Sequence, residues 1–234
     1  MSWSQVWAAK RVERSEGSVL AGLMAADGYD TPFGKLSESA WREYVQHWAR
    51  TLGLAPGESV FEVGCGAGAF LYELYRGGVE VAGIDLAAGL VDSAREVMPD
   101  GRFAVAEACD MSLEPPADVV ISCGVFIYFP SLEYARDVLA RMVAKARRAV
   151  LVLDLPDAAL REQAVADRIA AAGGLAAYNE RYRGLEHTYF DRGWVAHEMR
   201  KLGLLNVGTV EQDIPGYRNG AFRFNAWGYK PPAG

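Results

Sequence analysis

Cysteine and histidine are scarce in this chain, at three each in 234 residues. Cys65, Cys109 and Cys123 form no metal-type spacing and cannot all pair. They read as reduced thiols in a cytoplasmic protein, and no metal is expected. A basic surplus is also missing: the net charge is −6 and no Lys/Arg run appears. Proteins that grip a nucleic-acid backbone usually carry such a surplus, so no nucleic-acid partner is expected. No apolar stretch approaches the roughly 18 residues of a membrane span. The N-terminus lacks the apolar centre and cleavage site of a secretory signal. Repeats and Pro-, Gly- or Ser-rich linkers are lacking as well, which leaves no reason to divide the chain into separate units.

What is present is enough apolar material, 51% of residues, to fill the core of one α/β domain. Trp3, Val6, Trp7 and Lys10 share one side of a first helix. A turn-rich loop follows at Gly28-Tyr29-Asp30-Thr31-Pro32. Ser37 then opens a helix with Trp41, Tyr44, Val45, Trp48 and Leu52 on one stripe. From residue 59 the pattern alternates. Apolar strands are expected at 59–63, 80–84, 102–106, 118–122 and 149–154, with amphipathic helices at 69–76, 88–97 and 132–146. Continuous apolar strands between helices predict a parallel sheet covered on both faces, with ligands at the strands' C-terminal edge. A long Ala-rich helix over 158–172 breaks the alternation, and 178–190 is aromatic and charged without a clear period. Asp191 caps a last helix to Leu202, and 207–212 with 222–229 form a closing strand pair.

The chemistry concentrates at Val60-Phe61-Glu62-Val63-Gly64-Cys65-Gly66-Ala67-Gly68-Ala69, a strand, a loop with alternate glycines and a helix start. Such a loop lets backbone approach a ligand, and the helix N-terminus offers free N–H groups to an anion. The spacing Gly64-x-Gly66-x-x-Ala69 also satisfies the loose dinucleotide fingerprint. Asp85 ends the second strand, where a carboxylate can accept both ribose hydroxyls or cap a helix. Glu107 follows the third strand, with Asp110 as rival. The fourth strand runs into Cys123-Gly124-Val125-Phe126-Ile127-Tyr128-Phe129-Pro130.

With Glu62 two residues before the first glycine, the motif Glu-x-Gly-x-Gly-x-Gly resembles the first motif of class I, S-adenosylmethionine-dependent methyltransferases. The resemblance covers residues 56 to 230, loosely over 159–190, and includes the closing strand pair ending Phe222-Arg223-Phe224-Asn225-Ala226-Trp227. It implies a doubly wound, Rossmann-like α/β fold with a seven-stranded, mostly parallel sheet, an antiparallel last strand and a helical cover. It divides the chain into an N-terminal helical lid (1–55), a cofactor-binding core (56–158), a cover insertion (159–190), and a C-terminal helix with strand pair (191–234). The implied cofactor is S-adenosylmethionine, with S-adenosylhomocysteine as product. Tyr29, Glu62, Gly64, Cys65, Gly66, Asp85, Leu86, Glu107, Ala108, Cys109 and Cys123 are its expected contacts, Glu107 against the adenine amino group.

Many family members carry a histidine after the fourth strand, where this chain has Ile127 and Tyr128. Of the three histidines, His47 and His197 read as surface or packing residues. His187 falls where the chain returns over the pocket, so His187 and Tyr128 are the catalytic candidates, approaching the methyl group from opposite sides. Trp7, Tyr189, Tyr217, Asn219 and Arg223 are candidate acceptor contacts, and Arg218 with Arg223 either clamps an acidic acceptor or forms solvated hairpin charge. The helix of Trp3 and Trp7 reads as a lid, as apolar packing or, least, as a membrane-surface helix. The absence of Asn/Asp-Pro-Pro-Tyr after the fourth strand disfavours DNA bases and glutamine as acceptors. The expected acceptor is a small molecule of secondary-metabolite or antibiotic-biosynthesis type, with oxygen the first atom and nitrogen the second, and the chain a monomer or homodimer. The rivals are an NAD(P)-dependent oxidoreductase and a non-catalytic cofactor-binding module.

Overall fold

The computed structural model describes residues 2–10, 17–31 and 34–232. Arg11, Glu13 and Glu16, whose mixed charge in the sequence makes a membrane-surface helix the least favoured reading of the first segment, and Pro32 of the turn-rich loop lie outside them. The elements begin with helices α1 (Trp3–Ala8) and α2 (Val19–Ala26), the short strands β1 (Asp30–Thr31) and β2 (Gly34–Lys35), and helix α3 (Glu38–Thr51). The core follows as β3 (Ser59–Val63), α4 (Ala69–Arg76), β4 (Glu80–Asp85), α5 (Ala88–Val97), β5 (Arg102–Val105), β6 (Ala117–Cys123), α6 (Leu132–Lys145) and β7 (Ala146–Pro156). Then come α7 (Arg161–Ala171), α8 (Leu175–Arg181), α9 (Arg192–Lys201), β8 (Leu205–Glu211) and β9 (Arg223–Tyr229).

Seven strands form one sheet in the order β5-β4-β3-β6-β7-β9-β8. The pairs β5·β4, β4·β3, β3·β6 and β6·β7 are parallel, and β9 runs antiparallel to both of its neighbours. This is the sheet expected from sequence. Chain direction across the sheet reverses beside β3, because β4 lies to one side of it and β6 to the other. That switch point opens a crevice at the strands' C-terminal ends, where the glycine-rich loop after β3 emerges. The strand order also sets the order of groups along this edge: Glu107 beyond β5, Asp85 at the end of β4, Gly64 after β3, Cys123 at the end of β6, Asp154 in β7 and Arg223 opening β9.

Two apolar clusters fill the sandwich, one on each face of the sheet. One joins α2, α3, α4 and α5, the other α6 and α9. α3 forms because Ser37 caps it by accepting the Ala40 N–H at 3.1 Å and because Trp41, Tyr44, Val45 and Trp48 turn one face inward. Trp41 is fully buried and its indole donates to the Ala69 carbonyl at 3.0 Å, tying α3 to the start of α4. α3 is therefore a layer of the core, and the part of 1–55 that lies over the crevice is α1, which has no buried residue.

Several elements differ from the sequence reading. α2 and the β1–β2 pair were not expected, since a short run without a polar face gives little periodic signal. β7 is longer at both ends than 149–154, because its ends pair with β6 and β9. The Ala-rich segment 158–172 splits into a 3-10 turn (Ala158–Leu160) and α7, where Asp157 accepts the Ala159 N–H. α8 occupies the start of the stretch that lacked a period.

Candidate functional site

A cavity of about 640 Å³ lies at the switch point. One end is built on β3, β4 and β5. Leu86, Leu90, Ala106 and Ala108 make apolar walls there, and Glu107 reaches the cavity, with Tyr134 donating to it at 3.5 Å. Asp110, the rival to Glu107, faces a different depression on the other side of β5. Cys109 does not line the cavity. Its 3-10 turn points it towards the α6 cluster instead, which corrects the expectation of a cofactor contact.

Both oxygens of Asp85 are engaged, Oδ2 by the Gly66 N–H at 2.9 Å and Oδ1 by the Ala87 N–H at 2.8 Å. Asp85 thus braces the glycine loop and the start of α5 while lining the cavity. Burial raises its pKa against the pull of those N–H groups.

The glycine loop holds a feature that the sequence did not disclose. Gly68 precedes α4 in the left-handed conformation and has no side chain to cap it. The cap comes from Asp27, just after α2: its Oδ1 accepts the Ala67 N–H at 2.6 Å and its Oδ2 the Ala69 N–H at 2.9 Å. A Cβ on Gly66 would lie 2.2 Å from Asp27 Oδ1, and one on Gly64 would lie 2.4 Å from a Val125 methyl. Both positions also have positive φ, so glycine is required there on two counts. Burial raises Asp27 to about 7 despite the two N–H donors. Glu62, below the loop, is 3% exposed, and one of its carboxylate oxygens has no hydrogen-bond partner. Burial raises its pKa well above the usual range, and Asp27 and Asp85 add to the rise. Three carboxyl groups therefore converge on one end of the cavity, with Lys10 a source of positive charge towards Asp27.

At the middle, Tyr29 packs on Trp41 with ring centroids 4.4 Å apart, and its hydroxyl meets Cys123 Sγ at 3.5 Å. Cys65 and Cys123 also line the cavity, with thiol pKa values pushed well up by burial, so they are packing groups without thiolate character. Beyond them, Asp154 occupies the left-handed region at φ 61° and is 3% exposed. Its Oδ2 accepts from Tyr217 at 2.8 Å and from Arg223 at 2.7 Å, and its Oδ1 accepts from Gln212 at 3.3 Å. Backbone strain at a buried cavity residue is characteristic of functional sites. Arg223 is thus a buried ion-pair member and not a free clamp, whereas Arg218 is an exposed, solvated charge paired with Asp167. Asn219 lines the cavity beside Tyr217.

The far wall is aromatic. Trp3 of α1 stacks on His187 at 4.7 Å and lies 4.8 Å from the Tyr128 ring, and its indole donates to the Glu186 carbonyl at 2.9 Å. Trp7 meets Tyr128 at 5.2 Å. Tyr128 and His187 are 5.9 Å apart on one wall, which corrects the expectation that they face each other across the pocket. His187 Nδ1 is 3.1 Å from the Arg168 guanidinium, which also donates to the Tyr189 hydroxyl at 2.9 Å. Tyr189 itself does not line the cavity and acts only through Arg168. Since a guanidinium only donates, Nδ1 is the acceptor and Nε2 carries the proton. Burial, then Arg168 and Arg223, lower the His187 pKa to about 2. Such an imidazole is neutral and offers Nε2–H as a donor, which speaks against the expected role of His187 as a base. Tyr128 is raised above its ordinary value by burial and stays a phenol. His47 and His197 are exposed, as expected.

Asp27, Trp3, Asp154 and Arg168 are among the cavity residues missing from the sequence-based set. Asp27 follows an unexpected helix and Arg168 is one of two arginines in a helix that also carries acidic residues, so neither stood out locally.

Residues 60–148 match the family model described as a methyltransferase domain. No curated protein matches the sequence significantly. Among solved structures, magnesium protoporphyrin IX methyltransferase from Synechocystis, with bound S-adenosylhomocysteine, is 18% identical at a TM-score of 0.60, covering 82% of this chain and 84% of its own. DesVI from Streptomyces venezuelae is 13% identical at a TM-score of 0.62, covering 83% and 93%. A phosphoethanolamine N-methyltransferase from Haemonchus contortus is 14% identical at a TM-score of 0.61, covering 91% of this chain and 58% of its own.

Proposed function

We propose that the chain is a class I, S-adenosylmethionine-dependent methyltransferase and that it methylates an oxygen of a small-molecule, natural-product-like acceptor. The observation that carries this reading is the separation of charge along one cavity. Asp27, Glu62 and Asp85 gather at the glycine-loop end, and Arg168 and Arg181 line the other, beyond the mutually paired Asp154 and Arg223.

The acidic end fits the cofactor. An amino acid that bears an ammonium and a sulfonium would bring positive charge to the partnerless Glu62 oxygen and add to that of Lys10 near the raised Asp27 carboxyl. Asp85 and Glu107 would hold its ribose and adenine. The same feature weighs against a dinucleotide, because Asp27 already accepts the Ala67 and Ala69 N–H groups that a pyrophosphate would need. When bound, S-adenosylmethionine supplies a methyl group activated by positively charged sulfur.

The chain's own residues then hold the acceptor in line and exclude water, a contribution that alone can be large. The basic end favours oxygen over nitrogen. Guanidinium charge stabilises an oxyanion and disfavours a protonated amine, and it depresses His187 in the same way. A hydroxyl acidic enough to ionise in that field needs no strong protein base, and His187 Nε2–H can donate to its oxygen. Incubation with methyl-labelled S-adenosylmethionine and matched phenol and aniline acceptors tests this. Label should enter phenols; label found only in anilines reassigns the acceptor atom, and NADH binding without S-adenosylhomocysteine binding reassigns the class.

A further inference from the structure

Arg168 is 7% exposed, and with Ala164, one turn earlier, it is the buried face of α7. Its guanidinium reaches the cavity. Three other buried charges have opposite charges against them: Asp154 has Arg223, Asp157 has Arg192, and Glu198 has Arg136. Buried Lys145 donates to the carbonyls of Ser112 and Pro115. Among the described residues no carboxylate lies within ion-pair distance of Arg168. Its neighbour in sequence, Asp167, pairs with Arg218 instead. What Arg168 has are neutral partners: His187 Nδ1 and the Tyr189 hydroxyl, both served by Nη1, and the Tyr178 hydroxyl, which also hydrogen-bonds the guanidinium. The five donors of the fork outnumber these three partners.

An unpaired cation is costly to bury, and native structures retain one where a ligand completes it. Every acidic side chain lining the cavity is committed elsewhere: Asp27 and Asp85 to backbone N–H groups, Glu62 beneath the loop, Glu107 beside Tyr134, and Asp154 to Arg223. Around Arg168 the walls are Trp3, Tyr128, Tyr182 and His187, flat rings suited to a planar ligand, and Arg181 adds further positive charge at the rim. A guanidinium fork matches a carboxylate in shape and charge.

Resting on the methyltransferase reading above, we propose that Arg168 is an acceptor-recognition residue: it binds the carboxylate of a planar hydroxy acid whose hydroxyl is the methyl acceptor. α7, together with His187 and Tyr189, is then the specificity element of the enzyme. Tyr189 and the imidazole of His187 orient the fork, and the stack of Trp3 on His187 covers it.

The test uses full-length protein saturated with S-adenosylhomocysteine. Hydroxybenzoates, hydroxyphenylacetates and hydroxycinnamates are titrated calorimetrically, each beside its primary amide. At least one acid should bind about tenfold or more tightly than its amide, a difference of about 1.4 kcal/mol. Arg168→Met should abolish that preference while leaving S-adenosylhomocysteine affinity unchanged, which also reports that the variant is folded. If Arg168→Met does not fold, Arg168→Lys replaces it, and the preference must then fall by at least about threefold through loss of the planar fork. An acid preference below tenfold in every pair overturns the assignment, as does a preference that survives the substitution. Failure of the native protein to bind S-adenosylhomocysteine would instead strike the methyltransferase reading itself, so the two failures are distinguishable.

Discussion

The Asp27 carboxylate accepts the Ala67 N–H at 2.6 Å, so the helix that follows the glycine loop is capped by a residue from the N-terminal segment. That contact joins cover to core at the place where the cofactor's charged end would lie. It also gives the cofactor-free protein a particular pH response. Asp27 titrates near 7 when folded, against 3.8 for an ordinary aspartate. The unfolded chain thus loses this proton about three pH units earlier, and stability falls as pH rises through that window, by up to ~4 kcal/mol if the group is fully enclosed. Asp27→Asn keeps one cap oxygen without the charge. Its melting temperature should exceed the native value by several degrees at pH 8 and not at pH 4. S-adenosylhomocysteine should stabilise the variant less than the native protein. Equal ligand shifts in both would remove Asp27 from the cofactor site.

Asp85 serves two roles, and substitution should separate them. Losing the N–H contacts of Gly66 and Ala87 should cost stability of about 0.5–2 kcal/mol, the worth of a cap. Losing bonds to the cofactor should weaken S-adenosylhomocysteine by about 10- to 150-fold. Asp85→Ala should show both effects by calorimetry and thermal melting. A destabilised variant with native affinity would leave Asp85 as a brace only.

His187 should carry no pH-rate step near neutrality. Its folded pKa of about 2 lies far below the ordinary 6.5, so protonation is taken up by the unfolded chain first. The associated stability is complete above about pH 6.5 and is lost as pH falls, by about 1.4 kcal/mol per unit. The native-minus-variant difference for His187→Gln should therefore shrink below pH 6.5. Turnover measured from pH 5.5 to 8 should show no limb that this substitution removes. A limb near 6.5 that vanishes in His187→Gln would restore the base.

Trp3 tests the cover. It bridges α1 to Tyr128, His187 and the Glu186 carbonyl, yet α1 buries no residue. Trp3→Ala should therefore change the melting temperature little while lowering turnover and raising the KM of the acceptor. Full activity in this variant, or in a chain lacking residues 1–15, would leave α1 as surface packing.

Parallel apolar strands, the glycine spacing and the carboxylates at strand ends were legible from local pattern alone. Each is fixed by a short-range rule: strand periodicity, the φ that only glycine adopts easily, and the position just past a strand's C-terminus. They determined the sheet, the crevice and the residues Glu62, Gly64, Gly66, Asp85 and Glu107 that line it. The rest depends on contacts between segments far apart in the chain. Nothing local distinguishes Asp27 from a turn aspartate or Arg168 from a solvated helix charge; only packing strips them of water and aims them into the cavity. His187 shows the same limit. Its place over the pocket could be read from the sequence, but its protonation is decided by burial and two distant guanidiniums, and these speak against the expected role of base.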